Sequence, residues 1–514
     1  MKTVNASTGS VWLDDVELPS PPPLEKNLKT DVCIVGAGIA GLSTAYLLTR
    51  AGRKVVVIDD GTIASGQTQL TTAHVSNVPD VRYTEIERAR GTEMMRRAAE
   101  ALTAALHRIE SNVEEEHIDC DFRRVDAYLF LKPGDSDDVL EKELRAAQDT
   151  KVIRVGRVPR APLPSFDTGP CLRFQGQAQF QPLRYLAQLT SAIQSRGGEI
   201  YGHTHATSIA GGKTACIETH NGATIDCNSV VVATNTPVND RVAIHTKQAP
   251  YLSYVIAARI PVNSVPFALY WDTDDPFHYV RLHRAHGANV DIDDHDYLIV
   301  GGEDHKTGQA DDGEQRFERL EAWARERFPE IQYIEHRWAG QVMESIDGLP
   351  FIGRNPLDDD NVYVATGFSG LGMTGGTLAG MILTDLICGR PNPWADLYDP
   401  SRKAKSLSAL GHFAKENLNV ARQYAALVGP GEAKSADEIP AGEGAVIRRG
   451  IHKIAAYRQP TGALCEMSAI CPHLGCVVQW NATEKGWDCP CHGSRFGPEG
   501  EVRNGPANNN LERA

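Results

Sequence analysis

The stretch "TDVCIVGAGIAGLSTAYLLTRAGRKVVVIDD", Thr30 to Asp60, admits few folds. Val32 to Val35 is an apolar run of strand length, Gly36 to Gly41 a glycine-rich turn, Leu42 to Arg50 a run with helical spacing, and Val55 to Ile58 a second β-branched strand. Strand, helix and strand in so short a span make a βαβ unit, which demands a parallel sheet. Gly36, Gly38 and Gly41 give GxGxxG at the first junction. The first glycine permits the tight turn, the second lets backbone approach a pyrophosphate, and the third lets helix and strand pack closely. The helix start then points free N–H groups and its positive dipole end at the phosphates, with Ile39 and Ala40 in the same turn. Asp59 follows Gly36 by 23 residues, placed to accept hydrogen bonds from ribose hydroxyls, with Asp60 beside it. An acid there does not separate FAD from NAD. No second glycine-rich unit of comparable quality is found, so a separate NADH domain is not expected.

With 514 residues the chain has room for two to four domains, and 41% hydrophobic with 23% charged residues is ordinary for a globular protein. No run of 18 apolar residues occurs, so no transmembrane helix is expected. The first residues lack a basic segment followed by an apolar one, so no signal peptide is read and a cytoplasmic location is the expectation. The net charge of −14 argues against nucleic acid and anionic membranes as partners. Six of the eleven cysteines are scattered singly, whereas Cys465, Cys471, Cys476, Cys489 and Cys491 crowd into the last 50 residues and mark a separate module.

Residues 16 to 29, with "LPSPPPL", read as an extended arm. Residues 92 to 118 carry an amphipathic helix pattern, and residues 122 to 180 alternate strand-like and turn-like stretches. "CNSVVVATNTPV", Cys227 to Val238, reads as a buried parallel-type strand. Strands and loops fill 250 to 335 with one helix around Asp312 to Arg327, and Asn361 to Gly389 reads as strand, glycine turn and long helix. Ser406 to Leu427 is helical, followed by a linker and then short strands from about 440.

"GTIASGQTQLTTAH" after the second strand, "VVVAT" in mid-chain and "WAGQVMESIDGLPFIG…NVYVATGFSGLGMTGGTLAG" late in the chain together resemble the D-amino-acid oxidase-type FAD oxidoreductases, over roughly residues 30 to 400. The resemblance implies FAD and a Rossmann-like α/β FAD-binding domain with an inserted α+β substrate domain. It places FAD contacts at Gln67, Thr68, Thr71, Thr72 and Ala73, at Ala206, Ala233 and Thr234, at Gly340, and at Gly367, Phe368, Gly370, Gly372, Met373 and Thr374. The last four would put a helix N-terminus by the flavin ring, where its dipole stabilises the anionic edge of reduced flavin. His74 and Gln341 are the catalytic candidates. Amino-acid-oxidising members often carry an arginine after Trp-x-Gly to hold the substrate carboxylate; here that position holds Val342, and although Arg337 or Arg281 could substitute, a surface or structural arginine is the better reading of each. Sarcosine-oxidase-like members place a lysine over the flavin; here Ile299 lies near that position and Lys306 downstream. His283, His286, Asp291 and His295 offer metal donors, but their spacing fits no compact ligand set and a solvated hairpin is the better reading.

The C-terminal pattern is Cys471-x-His473, fifteen residues, then Cys489-x-x-His492. Four sulfur and nitrogen donors also suit tetrahedral zinc. The loops "CPHLGC" and "CPCHGS", however, resemble the Rieske family, in which two thiolates hold one iron and two imidazoles the other of a [2Fe–2S] cluster. The resemblance implies a C-terminal all-β Rieske domain and a disulfide between Cys476 and Cys491. It also implies a hydrogen bond from Ser494 to a bridging sulfide and, at "NGPA", Asn504 to Ala507, a proline loop over the cluster. Where the family has a tyrosine, this chain has Phe496, so one donor to the cluster is missing and a lowered potential is expected.

The resulting division is an arm at 1–29, an FAD-binding domain at 30–90, 190–240 and 335–400, a substrate domain at 91–189 and 241–334, a helical linker at 401–438 and a Rieske domain at 439–514. The expected function is a flavin-dependent oxidoreductase. It would oxidise a C–N substrate by hydride transfer to FAD and pass single electrons through the cluster to an external acceptor, so its partners are an amine-like small molecule and an electron-transfer protein. Two alternatives stand beside it: electrons entering through the cluster from a reductase, and a redox-responsive binding partner without turnover.

Overall fold

A computed structural model of the protein describes residues 9–239, 243–285, 295–403 and 407–514. His286 and Asp291 lie outside the described residues. The first sheet runs in the order Phe351–Arg354, Val362–Thr366, Thr224–Val232, Leu28–Val35, Val55–Ile58, Glu199–Tyr201. All of these neighbours are parallel except Phe351–Arg354, which runs antiparallel to Val362–Thr366. Val55–Ile58 and Val362–Thr366 are buried at every position, as strands covered on both faces must be. The first helix is Ile39–Arg50 and begins three residues before the apolar spacing suggests, because Thr68 Oγ1 accepts from Ile39 N (3.2 Å) and satisfies its first turn. Gly41 sits where a Cβ would lie 1.9 Å from the Gly36 carbonyl oxygen, so helix and turn close only on glycine. The helix Gly372–Ile387 packs on Ile39–Arg50, and the long helix Thr92–Glu115 packs on Gly372–Ile387 in turn.

The second sheet has nine strands, in the order Tyr333–Ser345, Gln248–Pro261, His295–Lys306, Tyr279–Arg284, Leu269–Asp272, Arg123–Phe130, Cys171–Gln179, His74–Val75, with Val155–Val158 on Cys171–Gln179. Between Arg123–Phe130 and Val155–Val158 lies a helix, Asp138–Asp149, in a stretch that reads as strands and turns. Its buried stripe is Leu140, Glu143, Ala146 and Ala147, and a charged residue in that stripe hides the period. Glu143 is buried because its carboxylate accepts from the N–H groups of Tyr83 (2.8 Å) and Thr84 (3.1 Å), capping the helix Tyr83–Arg90.

The N-terminal segment is more than an arm. Trp12, in the turn Val11–Leu13, is fully buried and donates from Nε1 to the Thr71 carbonyl (2.6 Å). Arg281 stacks over it with its guanidinium carbon 5.0 Å from the ring centroid, and His283 meets it edge-on at 5.0 Å. His283 is therefore a core histidine rather than part of a solvated hairpin, and His295 packs edge-on to Tyr297.

After the helix Leu407–Gln423 come two small antiparallel sheets. One is Gly444–Arg449, His452–Arg458, Leu464–Ser468; the other is Gln479–Asn481, Gly486–Asp488, Arg495–Phe496, Val502–Asn504. Buried Arg495 ties the second sheet together through Asp488 (2.9 Å) and Glu484. Replacing it with methionine strands two buried carboxylates. Arg495→Met is expected to cost about 3–5 kcal/mol of stability, read as urea unfolding followed by loss of cluster absorbance.

Candidate active site and iron–sulfur centre

A cavity of about 640 Å³ runs along the C-terminal ends of the parallel strands. Its nucleotide end is walled by Gly36, Gly38, Ile39, Ala40, Asp59 and Asp60, and across from them by Ala206, Ala233 and Thr234. Gly36 has φ +112°, and a Cβ there would lie 2.5 Å from the Ala233 carbonyl oxygen. Asp59 accepts from Ala37 N (2.7 Å) and Gly61 N (2.8 Å), so it pins the glycine turn as well as facing the cavity. Gln67, Thr68, Thr71, Thr72, His74 and Gly340 continue the wall, followed by Gln341, Phe368, Gly370, Gly372 and Met373. Four residues expected as cofactor contacts lie off this wall. Gly41 is used for packing, the Ala73 carbonyl is taken by Arg281 Nη1 (2.7 Å), Gly367 abuts Gln248, and Thr374 is buried in the helix behind Gly372.

These residues fit a bound dinucleotide. Glycines stand where backbone approaches backbone, and two helix N-termini open on one cavity. A Cβ on Gly372 would meet nothing within 4 Å, so this helix start faces open space.

The same cavity has further lining residues, which except for Phe368 the sequence left unmarked, and they form a chamber. Trp271, Phe277, Tyr279 and Phe368 give it apolar walls, and Asp80, Asp304 and Glu344 give it acids. Asp80 is open to the chamber but deep in the molecule; burial and the Asp304 charge push its carboxyl up to about 7. Burial and then the charges of Asp304 and Asp80 raise Glu344 to about 8. Burial raises Asp304 to about 6, although it accepts a hydrogen bond from Ser253, which also bonds Tyr279 (2.6 Å). Arg82 and Arg503 are the arginines on the cavity wall among the described residues. Arg281 is no clamp: buried, it donates to the carbonyls of Thr72 (3.1 Å), Ala73 (2.7 Å) and Phe180 (3.1 Å). Arg337 pairs with Glu314 (3.2 Å), and Lys306 pairs with Glu416 at the linker helix. His74 takes Thr72 Oγ1 on Nδ1 (3.0 Å), and burial holds its pKa down to about 3, so the ring is neutral.

The four expected cluster donors converge from two loops. Each loop is closed by its own backbone bonds, Cys471 N to Cys476 O (2.8 Å) and Cys489 N to Ser494 O (2.8 Å). A disulfide, Cys476–Cys491, joins the loops with Cα atoms 6.4 Å apart. The His473 and His492 rings lie 5.0 Å apart. The Cys471 and Cys489 sulfurs hydrogen-bond to each other, so one proton is shared across the pair, backbone N–H groups and Ser494 add donors to Cys471, and burial holds His492 neutral at about 3. Sulfurs supplied with donors and neutral imidazoles suit a thiolate–imidazole metal site. Ser494 Oγ also accepts from Ala507 N (2.9 Å), tying in the proline loop.

This cluster edge faces the flavoprotein. His245, buried ahead of the strand Gln248–Pro261, meets His473 at 4.7 Å and His492 at 5.7 Å between ring centroids. Val502 to Asn508 line the FAD cavity itself, with Asn508 Nδ2 on the Ala206 carbonyl (2.8 Å) and its carbonyl on His205 (3.0 Å). Gln341, expected as catalytic, spends its side-chain amide on this junction, with Nε2 on the Gly493 carbonyl (2.9 Å) and Thr307 Oγ1 (3.2 Å) and Oε1 on Asn504.

A parallel sheet with a glycine-turn cavity beside a two-loop thiolate–imidazole centre defines a flavin and iron–sulfur oxidoreductase. The chain belongs to the FAD dependent oxidoreductase family, whose profile matches residues 31–386, and it carries a Rieske [2Fe-2S] domain at residues 430–514. FAD and a [2Fe–2S] cluster are its cofactors. It is 33% identical over 501 residues to YhfW of Bacillus subtilis, described as a Rieske 2Fe-2S iron-sulfur protein, covering 96% of this chain and 95% of that one. It is 24% identical to the gamma-glutamylputrescine oxidoreductase of Escherichia coli, over 71% of this chain and 85% of that protein. Glycine oxidase from Geobacillus kaustophilus shares the fold, with a TM-score of 0.58 at 17% identity, over 74% of this chain and all of that one. No helix among the described residues is long and apolar enough to cross a membrane.

Ser494 and Phe496 give this site its own prediction. Phe496 is buried opposite Trp487 and offers no hydroxyl. Ser494→Ala is expected to lower the cluster midpoint potential and Phe496→Tyr to raise it, both read by EPR-monitored redox titration.

Proposed function

We propose that the protein oxidises an amine carrying a second positive charge and delivers the electrons singly, by way of its Rieske centre, to an external one-electron acceptor. The acid-lined chamber carries this reading. Asp80, Asp304 and Glu344 stand among aromatic walls, with Arg281 and Arg337 engaged elsewhere and acids outnumbering the wall arginines Arg82 and Arg503, an environment that favours ammonium groups on a hydrocarbon spacer over an amino-acid carboxylate. The E. coli relative's name, gamma-glutamylputrescine oxidoreductase, is consistent with a C–N donor.

When bound, the flavin accepts a hydride and the cluster carries one electron at a time. The chain's residues do the rest. Gln67, Thr68, Gly340 and the start of the helix at Gly372 hold the cofactor. Asp80 lies against Gly370, where a Cβ would fall 1.7 Å from its Oδ2, next to the turn expected at the flavin ring. Its raised pKa makes it a better proton acceptor near neutral pH than an ordinary carboxylate, so it can take the ammonium proton and leave the neutral amine that donates hydride. Asp304 and Glu344 hold the second cationic group. His74, kept neutral, orients rather than titrates, and Trp271, Phe277 and Tyr279 exclude water.

The test is anaerobic mixing of the purified protein with diamines, monoamines and N-methyl amino acids. Flavin bleaching followed by the reduced-cluster EPR signal, strongest with diamines, is the expected result. Reduction only by a ferredoxin or an NADH-dependent reductase reverses the direction, and no redox change at all supports a binding role. Glu344→Gln is expected to weaken diamine affinity about 10- to 100-fold and monoamine affinity far less, since a charge-assisted bond of about 1.5–3 kcal/mol is lost. The raised acids also set a pH dependence. Cationic amines bind more tightly as pH rises from about 6 to 8 and the carboxyls ionise. Without amine the native state holds protons that the unfolded chain has released, so stability falls with rising pH from about 4 to 8, read as melting temperature with and without diamine.

A further inference from the structure

We propose that Gln341 seats Gly493 of the cluster loop against the flavin cavity and thereby provides the hydrogen-bonded route between the two redox sites. It is 4% exposed and belongs to both sides of the junction. On the flavin side its backbone N–H donates to Gln67 Oε1 (2.6 Å), and Gly340, the residue before it, forms cavity wall against Leu70. On the cluster side its Nε2 donates to the carbonyl of Gly493, the residue bonded to the cluster ligand His492. Its Oε1 accepts from Asn504, which fixes which way the amide points. The route is therefore backbone, side-chain amide, one hydrogen bond and the backbone of a ligand. The approach is built, since Gly493 has φ +81° and a Cβ there would lie 2.6 Å from Gln341 Nε2 and 2.5 Å from Pro250 Cβ.

Other contacts keep the domains docked without touching the flavin cavity. Gln309 Nε2 donates to the Pro490 carbonyl (3.0 Å) in the same cluster loop, and Ala482 N donates to Asp311 (3.0 Å). Gln341 is thus a positioning residue whose loss should break the route and leave the dock. With both cofactors bound, an electron crossing this route would be given up by reduced flavin, reduce one ferric ion of the cluster held by Cys471, His473, Cys489 and His492, and pass to a one-electron acceptor outside the chain. The inference rests on electrons passing between flavin and cluster, in either direction, and not on the amine reading.

The test uses no amine. Full-chain holoprotein is reduced anaerobically with dithionite and mixed in a stopped-flow instrument with ferricytochrome c, which is too large to enter the cavity. Cluster and flavin reoxidation are followed separately. Gln341→Met is expected to keep FAD content, cluster EPR g-values and the rate of cluster reoxidation, while flavin reoxidation slows about tenfold or more. Gln309→Ala, which removes a bond to the same loop, should match the wild type in all four. Wild-type flavin reoxidation in Gln341→Met, or equal slowing in Gln309→Ala, overturns the proposal. If Gln341→Met sheds either cofactor, Asn504→Ala, which frees the amide to turn, carries the same expectation, and wild-type reoxidation in that variant is equally fatal. Flavin that never reoxidises through the cluster in the wild type would sink the electron-transfer reading itself, whatever the amine panel gives.

Discussion

The 2.9 Å hydrogen bond from Gln341 Nε2 to the Gly493 carbonyl holds the ligand edge of one domain inside the wall of another. Around it the contact is close because small residues meet there. A Cβ on Gly308 would lie 3.0 Å from the backbone of Asp488 and Pro490, and one on Gly505 would lie 3.0 Å from Val238. His245 covers the cluster histidines from the flavoprotein side. Burial of this kind lowers the local dielectric and fixes distances, which are the two things a protein controls when it couples redox centres.

The sequence made local motifs legible and left their meeting illegible. Gly36, Gly38 and Gly41 announce a turn by their spacing between a strand and a helix, although only Gly41 answers a steric demand within the turn itself, and Cys471, His473, Cys489 and His492 announce donors by type and spacing. Asp80, Asp304 and Glu344 carry no such mark. They come from three separated segments, and a carboxylate looks the same whether it is solvated or buried. Trp12 is likewise unreadable, since its partners Thr71 and Arg281 are long-range. The helix Asp138–Asp149 escaped because Glu143 sits in its buried stripe, satisfied by a backbone some 60 residues away.

Arg281 shows how a residue type can mislead without its surroundings. An arginine near a flavin suggests a carboxylate clamp, yet its Nη1 and Nε bond four carbonyls and its face lies on Trp12. Its task is to hold Thr72 and Ala73 in place, and so to shape the cavity from behind.

The segment Val502 to Asn508 also constrains how the molecule is put together. It belongs to the iron–sulfur domain, is tied to the cluster loop through Ala507 N and Ser494, and forms one wall of a cavity made otherwise by residues translated hundreds of positions earlier. A chain shortened before that segment would therefore meet its cofactor with one wall of the cavity missing.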